Sequence, residues 1–235
     1  MKTKLISFVL LACFGLLSCN CLEGKSTIDE NKFEQFCKLF QPHSLLFDWN
    51  RGEIGRLAKP NRGQDKYKEI PVELLCFVPE KIIASDSITD IRALFQLPSK
   101  DSLCFFIVAT DYKYDRYGTG SPLTNILKLY LLVYNELGEL KSQIIIAGYS
   151  VDQWDRLVRV DENYNLQIRL YEFLGGVIKH PSKSHLIGKM RLTKTSCEIT
   201  ANGTINCTSK TIKGYFDSTS NANDYELVKE VYKDD

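Results

Sequence analysis

The chain has 235 residues, of which 44% are hydrophobic and 25% are charged, values that are ordinary for a packed globular protein. Disorder over most of the chain is therefore not expected. The 30 basic and 29 acidic residues nearly balance, and this argues against a nucleic-acid partner, which needs a strongly basic surface to displace phosphate counterions.

The amino-terminal segment has the pattern of a secretion signal. Lys2 and Lys4 precede an apolar run from Leu5 to Leu17. This run is too short to cross the roughly 30 Å hydrocarbon core of a bilayer. We therefore expect the chain to be exported.

The end of this segment, Leu16-Leu17-Ser18-Cys19, resembles the bacterial lipoprotein signal, with a small residue directly before the cysteine. The resemblance implies cleavage after Ser18 and attachment of lipid to Cys19. The alternative is an ordinary secretory signal with an incidental cysteine. Two or more acyl chains, at about 0.8 kcal/mol per buried methylene, would make the anchor effectively permanent.

These features predict three segments. Residues 1–18 form the signal peptide, 19–26 a lipidated tether and 27–235 a single globular domain that is helical and loop-rich over 27–100 and a β-meander over 101–235. Removal of the signal takes away two lysines and leaves 28 basic against 29 acidic residues. The mature protein would thus be close to neutral.

The first third of the domain has helical patterns. Four apolar residues recur at the spacing of one helical face after Asp29 and Glu30: Phe33, Phe36, Cys37 and Phe40. We expect this helix to pack on a sheet formed by the later segments.

Two further segments precede the first predicted strands. Arg51 to Lys68 contains three glycines, a proline and many charges, which predicts a surface loop. Ser87 to Phe95 is predicted as a second helix, because Ser87 and Asp90 have capping-box spacing and Pro98 would prevent the helix from continuing.

A tyrosine-rich connection comes next, from Asp111 to Pro122. Tyrosine and arginine are typical of recognition surfaces, so we interpret Tyr112, Tyr114, Arg116 and Tyr117 as a candidate recognition loop. The alternative is an exposed loop that happens to be rich in tyrosine.

The remainder of the chain predicts antiparallel strands joined by hairpins. The strands are expected at Ile126–Tyr134, Leu140–Gly148, Leu157–Val160, Leu166–Phe173, Leu186–Thr195 and Thr204–Phe216. The continuous apolar stretch Ile144–Ile146 indicates a central strand that is covered on both faces. The predicted fold class is α+β, predominantly antiparallel β.

One disulfide can be argued from the hairpin register. A three-residue loop of Ala201, Asn202 and Gly203 places Cys197 opposite Cys207, at a pair of positions where side chains approach closely. Four other cysteines would remain in the exported chain besides the lipidated Cys19, and the sequence leaves their pairing open: Cys21, Cys37, Cys76 and Cys104.

Enzyme signatures are missing from the sequence. It contains no serine-hydrolase elbow, zinc-protease motif, phosphate-binding glycine loop or dinucleotide fingerprint. His180 and His185 flank a polar connection between strands, and no nearby acid in the sequence completes a site with them. We therefore predict no catalytic residue, no cofactor and no metal site.

As a whole, the chain is similar in style to the uncharacterised envelope lipoproteins of Bacteroidetes. The resemblance rests on the lipoprotein signal, the phenylalanine-rich helix, and Leu129 to Leu140 leading into Ile144 to Gly148. It implies a lipid-anchored protein that faces the periplasm or the cell surface, and it carries no activity with it.

Three interpretations of the function are consistent with these features. The preferred interpretation is a membrane-anchored, non-catalytic binding module for another envelope or secreted protein, of the immunity or inhibitor kind. The alternative is an envelope glycan hydrolase that uses Asp152, Asp155 or Asp161 near Trp154, which would require two carboxylates roughly 5 to 9 Å apart. A structural component of an envelope assembly is a third interpretation.

Overall fold

A computed structural model describes residues 29–58, 67–84, 88–114, 124–150, 153–218 and 224–231. The lipid-attachment candidate Cys19 lies outside these residues, as do Arg116 and Tyr117 of the candidate recognition loop. Within the described part, no helix has both the length and the apolar character needed to cross a membrane.

The helical elements are short and lie in the first third of the chain. They are α1 (Glu30–Cys37), α2 (Arg51–Ala58), a 3-10 helix (Val72–Phe77) and α3 (Glu80–Ile83). Asp29 caps α1, since its carboxylate accepts a hydrogen bond from the Lys32 amide at 3.2 Å.

The strands account for most of the described residues. The short ones are β1 (Gln41–Pro42), β2 (Phe47–Trp49) and β3 (Lys68–Glu69). The long series comprises β4 (Ile88–Lys100), β5 (Leu103–Tyr114), β6 (Thr124–Asn135), β7 (Leu140–Ser150), β8 (Trp154–Val160), β9 (Leu166–Lys179), β10 (Leu186–Ile199), β11 (Ile205–Ser218) and β12 (Tyr225–Glu230).

The described strands form one sheet, in which β4 to β12 follow one another in chain order with antiparallel neighbours. β1 lies parallel to β4 at one edge, β3 pairs with β4, and β2 pairs with β8. The predicted predominance of antiparallel sheet is therefore confirmed.

The sheet curves back on itself at β7 and β8. These strands pair only through residues 148–150 and 154–156, and the far end of β8 pairs with β2 instead. The turn between β10 and β11 reaches the opposite half of the sheet, where the Ser142 hydroxyl donates to the Gly203 carbonyl. A first core, formed by side chains from β4–β7 and from β8–β11, is enclosed in this way.

A second core covers the other face of β4, β5 and β6 and is rich in aromatic rings. The Phe106 ring of β5 lies 5.6 Å from Phe36 and 4.7 Å from Phe40, measured between ring centroids. The Tyr134 ring of β6 lies 5.6 Å from Phe33. The rings of Phe33, Phe36 and Phe40 are thus in contact with rings of β5 or β6.

The prediction of a second helix over Ser87 to Phe95 is wrong. From Ile88 onward these residues belong to β4. Ile91 and Ala93 are buried in the second core, whereas Leu94 and Phe95 are buried in the first. Burial on both faces of a sheet outweighed a local capping pattern, because such a pattern contributes only about 1 kcal/mol.

The prediction of a surface loop over Arg51 to Lys68 is wrong for its first part, which forms α2. Asn50 and Glu53 cap this helix reciprocally: the Asn50 amide donates to the Glu53 carboxylate at 3.1 Å, and the Glu53 amide donates to the Asn50 side chain at 3.0 Å. Ile54 anchors the helix in the first core with 1% of its surface exposed. Residues 59–66 lie outside the described residues.

The hairpin register was predicted correctly. Cys197 pairs with Cys207 and Ile199 with Ile205, and Gly203 takes the left-handed conformation with φ +84°. The two cysteines form a disulfide with their Cα atoms 4.1 Å apart. In the β8–β9 turn, Tyr164 takes the same conformation in place of a glycine, with φ +64°.

The apolar stretch Ile144–Ile146 of β7 is covered on both faces. Ile145 packs against the second core, Ile146 belongs to the first, and Ile144 packs against the first. β7 lies between β6 and β8 in the sheet order, but Ile144 and Ile145 pair only with β6, because β8 diverges from β7 at this point.

Candidate functional site

The two ends of the sheet differ in their connections. Tight turns lie at one end, at residues 101–102, 136–139, 161–165 and 200–204. The opposite end carries the connections β5–β6, β7–β8, β9–β10 and β11–β12, which we call the loop end. Because function is commonly carried by connections on a rigid scaffold, the loop end is the natural place to look for a site.

The β9–β10 connection brings two histidines together. The His180 amide donates to the His185 carbonyl at 2.9 Å, and the two imidazole rings lie 5.3 Å apart. The Nδ1 atom of His180 accepts a hydrogen bond from the Ser182 amide at 3.0 Å. The hairpin thus aligns two side chains that are five residues apart in the sequence.

Asp217, at the end of β11, holds this connection in place. Its carboxylate accepts hydrogen bonds from His185 Nε2 at 2.9 Å and from Lys183 Nζ at 2.8 Å, while His180 Nε2 lies 3.8 Å away. Only 5% of Asp217 is exposed. The hydrogen bonds from Lys183 and then His185 lower the pKa of Asp217 to about 2.

The expectation that no acid accompanies the two histidines is therefore wrong. The signal was present in the sequence, because the register that pairs Cys197 with Cys207 holds without a break along β10 and β11 as far as Gly188 and Phe216. Extended by one position, it places Asp217 beside Ile187 and close to His185.

The cluster cannot act as a serine hydrolase triad. The Ser182 hydroxyl lies 3.3 Å from His180 Nδ1, but this nitrogen already accepts the Ser182 amide hydrogen. It therefore has no lone pair free to remove the hydroxyl proton. The arrangement fixes the connection in one conformation and offers no activated nucleophile there.

A cleft of about 880 Å³ opens beside Asp217. Its polar lining includes Arg51, Lys183, His185 and Tyr225, and its apolar lining includes Phe173, Met190 and Phe216. Two large apolar side chains of the β9–β10 hairpin are exposed to solvent, Val177 by 62% and Leu186 by 63%. Leu186 also lines the cleft.

A second polar network joins the cleft to the interior. The buried carboxylate of Asp155 accepts a hydrogen bond from the Tyr225 hydroxyl, and Arg51 Nε lies 3.3 Å from it. Burial raises the pKa of Asp155, although Tyr225 and Arg51 act in the opposite direction. Burial and the neighbouring Asp155 raise the pKa of Tyr225 as well.

The residue before Tyr225 makes a similar network. The Tyr171 hydroxyl donates to Asp224 at 2.5 Å, and the Arg169 guanidinium pairs with Asp224 and with Asp48, the latter at 3.3 Å. The rings of Tyr171 and Tyr225 lie 4.6 Å apart. Together these contacts tie β12 to β8 and β9.

Two of the carboxylates predicted for a hydrolase, Asp155 and Asp161, do not form a pair. Asp155 and Asp161 lie at opposite ends of β8, six residues or about 20 Å apart at the rise of a strand. Asp161 closes the β8–β9 turn by accepting hydrogen bonds from the Asn163 and Asn165 amides at 2.8 and 3.0 Å. Asp152 lies outside the described residues.

The predicted recognition loop is partly strand. Tyr112 and Tyr114 belong to β5, where they pair with Ile126 and Thr124 of β6. Residues 115–123 lie outside the described residues. Tyr114, the last residue of β5, lies at the same end of the sheet as the cleft.

Sequence reasoning also missed Arg51 and Tyr225 as residues of the site. They are distant in the chain but lie next to each other in the structure, where Arg51 Nη1 donates to the Tyr225 hydroxyl at 3.2 Å. No local pattern in the sequence indicated this contact.

Comparisons with protein-family models, with curated proteins and with solved structures find no match to this chain.

Proposed function

We propose that the protein is a membrane-anchored, non-catalytic binding module of the bacterial cell envelope, and that its loop end binds another protein. The observation that carries this proposal is the cleft beside Asp217, with the exposed Val177 and Leu186 on its flanking hairpin. Large apolar side chains exposed next to a cleft are a feature of protein-binding surfaces.

The chemistry of the cleft supports a protein partner. Aromatic residues and arginine contribute most of the energy at many interfaces, and Arg51, Phe173 and Tyr225 line the cleft. The polar groups are held in position by Asp155 and Asp217, so little side-chain entropy would be lost when a partner binds.

The location is part of the same proposal. The Cys197–Cys207 disulfide supports an oxidising compartment, and the lipid on Cys19 would hold the module at a membrane surface. We also propose that α1 is a fixed part of the module, packed on the sheet through Phe33 and Phe36. An immunity or inhibitor protein, which neutralises an incoming toxin or lytic enzyme, would need this stiffness and location.

The test compares two exposed leucines. The full chain, its Leu186→Ser variant and its Leu137→Ser variant are used as baits for envelope and secreted proteins of the host. Leu137 is 57% exposed but lies in a tight turn at the opposite end of the sheet, so it controls for the loss of a surface leucine.

The proposal expects one protein that is retained by the wild type and by Leu137→Ser and is lost with Leu186→Ser. Retention of that protein by all three baits would refute the binding face. Failure of the wild type to retain any specific protein would contradict the proposed function.

The alternative, a carboxylate-dependent glycan hydrolase, has one observation in its favour: burial raises the pKa of Asp155, as a general acid requires. However, only 2% of Asp155 is exposed. Turnover of peptidoglycan by the purified full chain, abolished by Asp155→Asn, would favour the hydrolase over the binding module.

A further inference from the structure

Two cysteines left unassigned by the sequence face the same part of the second core. Cys37 ends α1, and Cys104 lies near the start of β5. The structure contains both as free thiols, each half-buried and packed against the aromatic rings of that core. Cys76, the other free cysteine among the described residues, is exposed.

Cys37 and Cys104 are packed against the same hydrophobic core, the second one. On β5, Cys104 shares a face with Phe106, since side chains alternate along a strand, and it pairs across the sheet with Tyr134 of β6. On α1, Cys37 lies between Phe36 and the following Phe40. Phe36 and Phe40 both contact Phe106, and Phe36 lies 6.1 Å from Tyr134. Burial and the proximity of Cys37 raise the pKa of Tyr134, so the cross-strand partner of Cys104 is also close to Cys37.

The electrostatics of the two thiols agree with this placement. Burial raises the pKa of Cys37 to about 11, and the proximity of Cys104 contributes to the increase. Burial also raises the pKa of Cys104. The Cys76 thiol instead points at its own helix, 3.7 Å from the Glu73 carbonyl.

We propose that Cys37 and Cys104 are the site of a second disulfide, which joins α1 to β5 when the chain matures in an oxidising compartment. The existing Cys197–Cys207 disulfide indicates such a compartment. The inference depends on the Cys197–Cys207 disulfide, as evidence of an oxidising compartment, and on the contacts of the second core. It is independent of the proposed binding face.

The reaction is thiol–disulfide exchange with an external disulfide, carried by a small molecule or by a protein. The Cys37 thiolate attacks one sulfur of that disulfide and releases the first thiolate. The Cys104 thiolate then attacks the Cys37 sulfur and releases the second. The external disulfide is reduced to two thiols, which take up the two protons that the cysteines lose.

The raised pKa sets when this exchange takes place. Only the thiolate reacts, and a thiol with a pKa of about 11 is ionised in roughly one part in ten thousand at pH 7. The exchange should therefore be slow in the folded protein at pH 7 and faster while the thiols are exposed during refolding.

Peptide mapping of the full chain tests the proposal. The protein is reduced and unfolded in detergent, refolded in a buffer of reduced and oxidised glutathione, alkylated and digested with trypsin. The expected product joins peptide 33–38 to peptide 101–113, while Cys76, in peptide 69–81, is alkylated. The Cys76→Ser variant should give the same joined product, and Cys104→Ser should leave Cys37 open to alkylation.

The Cys197–Cys207 disulfide, within peptide 195–210, reports whether refolding was oxidative. If that disulfide forms while Cys37 and Cys104 are both alkylated, the proposal is overturned. A product that joins peptide 33–38 to peptide 69–81 would overturn it equally, because Cys37 would then pair with Cys76.

Discussion

Replacement of Tyr225 by phenylalanine tests the polar network beneath the cleft. The ring would keep its contacts with Tyr171 and Phe173, so the change removes only the hydroxyl, which donates to Asp155 and accepts a hydrogen bond from Arg51 at 3.2 Å. A hydrogen bond to a charged group contributes about 1.5–3 kcal/mol. For a protein of this size, that loss corresponds to a melting temperature lower by about 3–12 °C.

The effect should depend on pH. The Tyr225 hydroxyl lowers the pKa of Asp155, so its removal raises that pKa and lets the variant recover stability when the carboxyl binds a proton. The cost of Tyr225→Phe should therefore be full at neutral pH. It should fall towards the value of a neutral hydrogen bond, about 0.5–1.5 kcal/mol, as the pH decreases through the raised pKa of Asp155.

Urea unfolding followed by circular dichroism, from pH 7 down to pH 4, measures both effects. Tyr164→Phe is the matched control, because the Tyr164 hydroxyl donates to the uncharged Pro98 carbonyl at the other end of the sheet. Its cost should be about 0.5–1.5 kcal/mol at every pH. A Tyr225→Phe cost that is no larger than that of the control at pH 7, or that does not change with pH, would refute the reasoning.

Four further variants have defined outcomes. Replacing Cys197 and Cys207 by alanine opens a short loop and should cost about 2–3 kcal/mol in urea unfolding; an unchanged midpoint would contradict this. Asp217→Asn should speed amide hydrogen exchange in the β9–β10 connection above pH 4. The difference between variant and wild type should disappear towards pH 2, because the stability contributed by a carboxylate with a lowered pKa is lost in acid. Equal exchange rates at pH 7 would refute the role of the carboxylate. Gly148→Ala should lower the free energy of unfolding by about 1–3 kcal/mol or more, since its Cβ would lie 2.2 Å from a carbonyl oxygen of β6. In Gly55→Ala of α2 the added Cβ meets no atom within 4 Å. That variant should be more stable than the wild type by about 0.5–1 kcal/mol in the same urea assay.

The strands and turns of the second half were predictable because their signals are local. Asn202-Gly203 specifies a hairpin turn, and the alternation of apolar residues on either side selects one register. That register placed Cys197 opposite Cys207 before any tertiary contact was known. The same reasoning failed for Ser87 to Phe95, since a strand buried on both faces loses its alternation and can then resemble a helix.

The candidate site was only partly predictable. His180, His185 and Asp155 were recognised as chemically notable, but the acid that partners the two histidines was missed although the register pointed to it. Arg51 and Tyr225 carried no signal, because they meet across 174 residues of chain.

The sequence by itself determined the antiparallel strands, the hairpin register and the first disulfide, since these depend on side-chain periodicity and turn chemistry within about a dozen residues. Only the tertiary structure decided that the sheet curves back on itself, that Cys37 and Cys104 pack against the same core, and that a cleft forms beside Asp217. These features depend on contacts between segments far apart in the chain, and such contacts are set by how the two hydrophobic cores are filled.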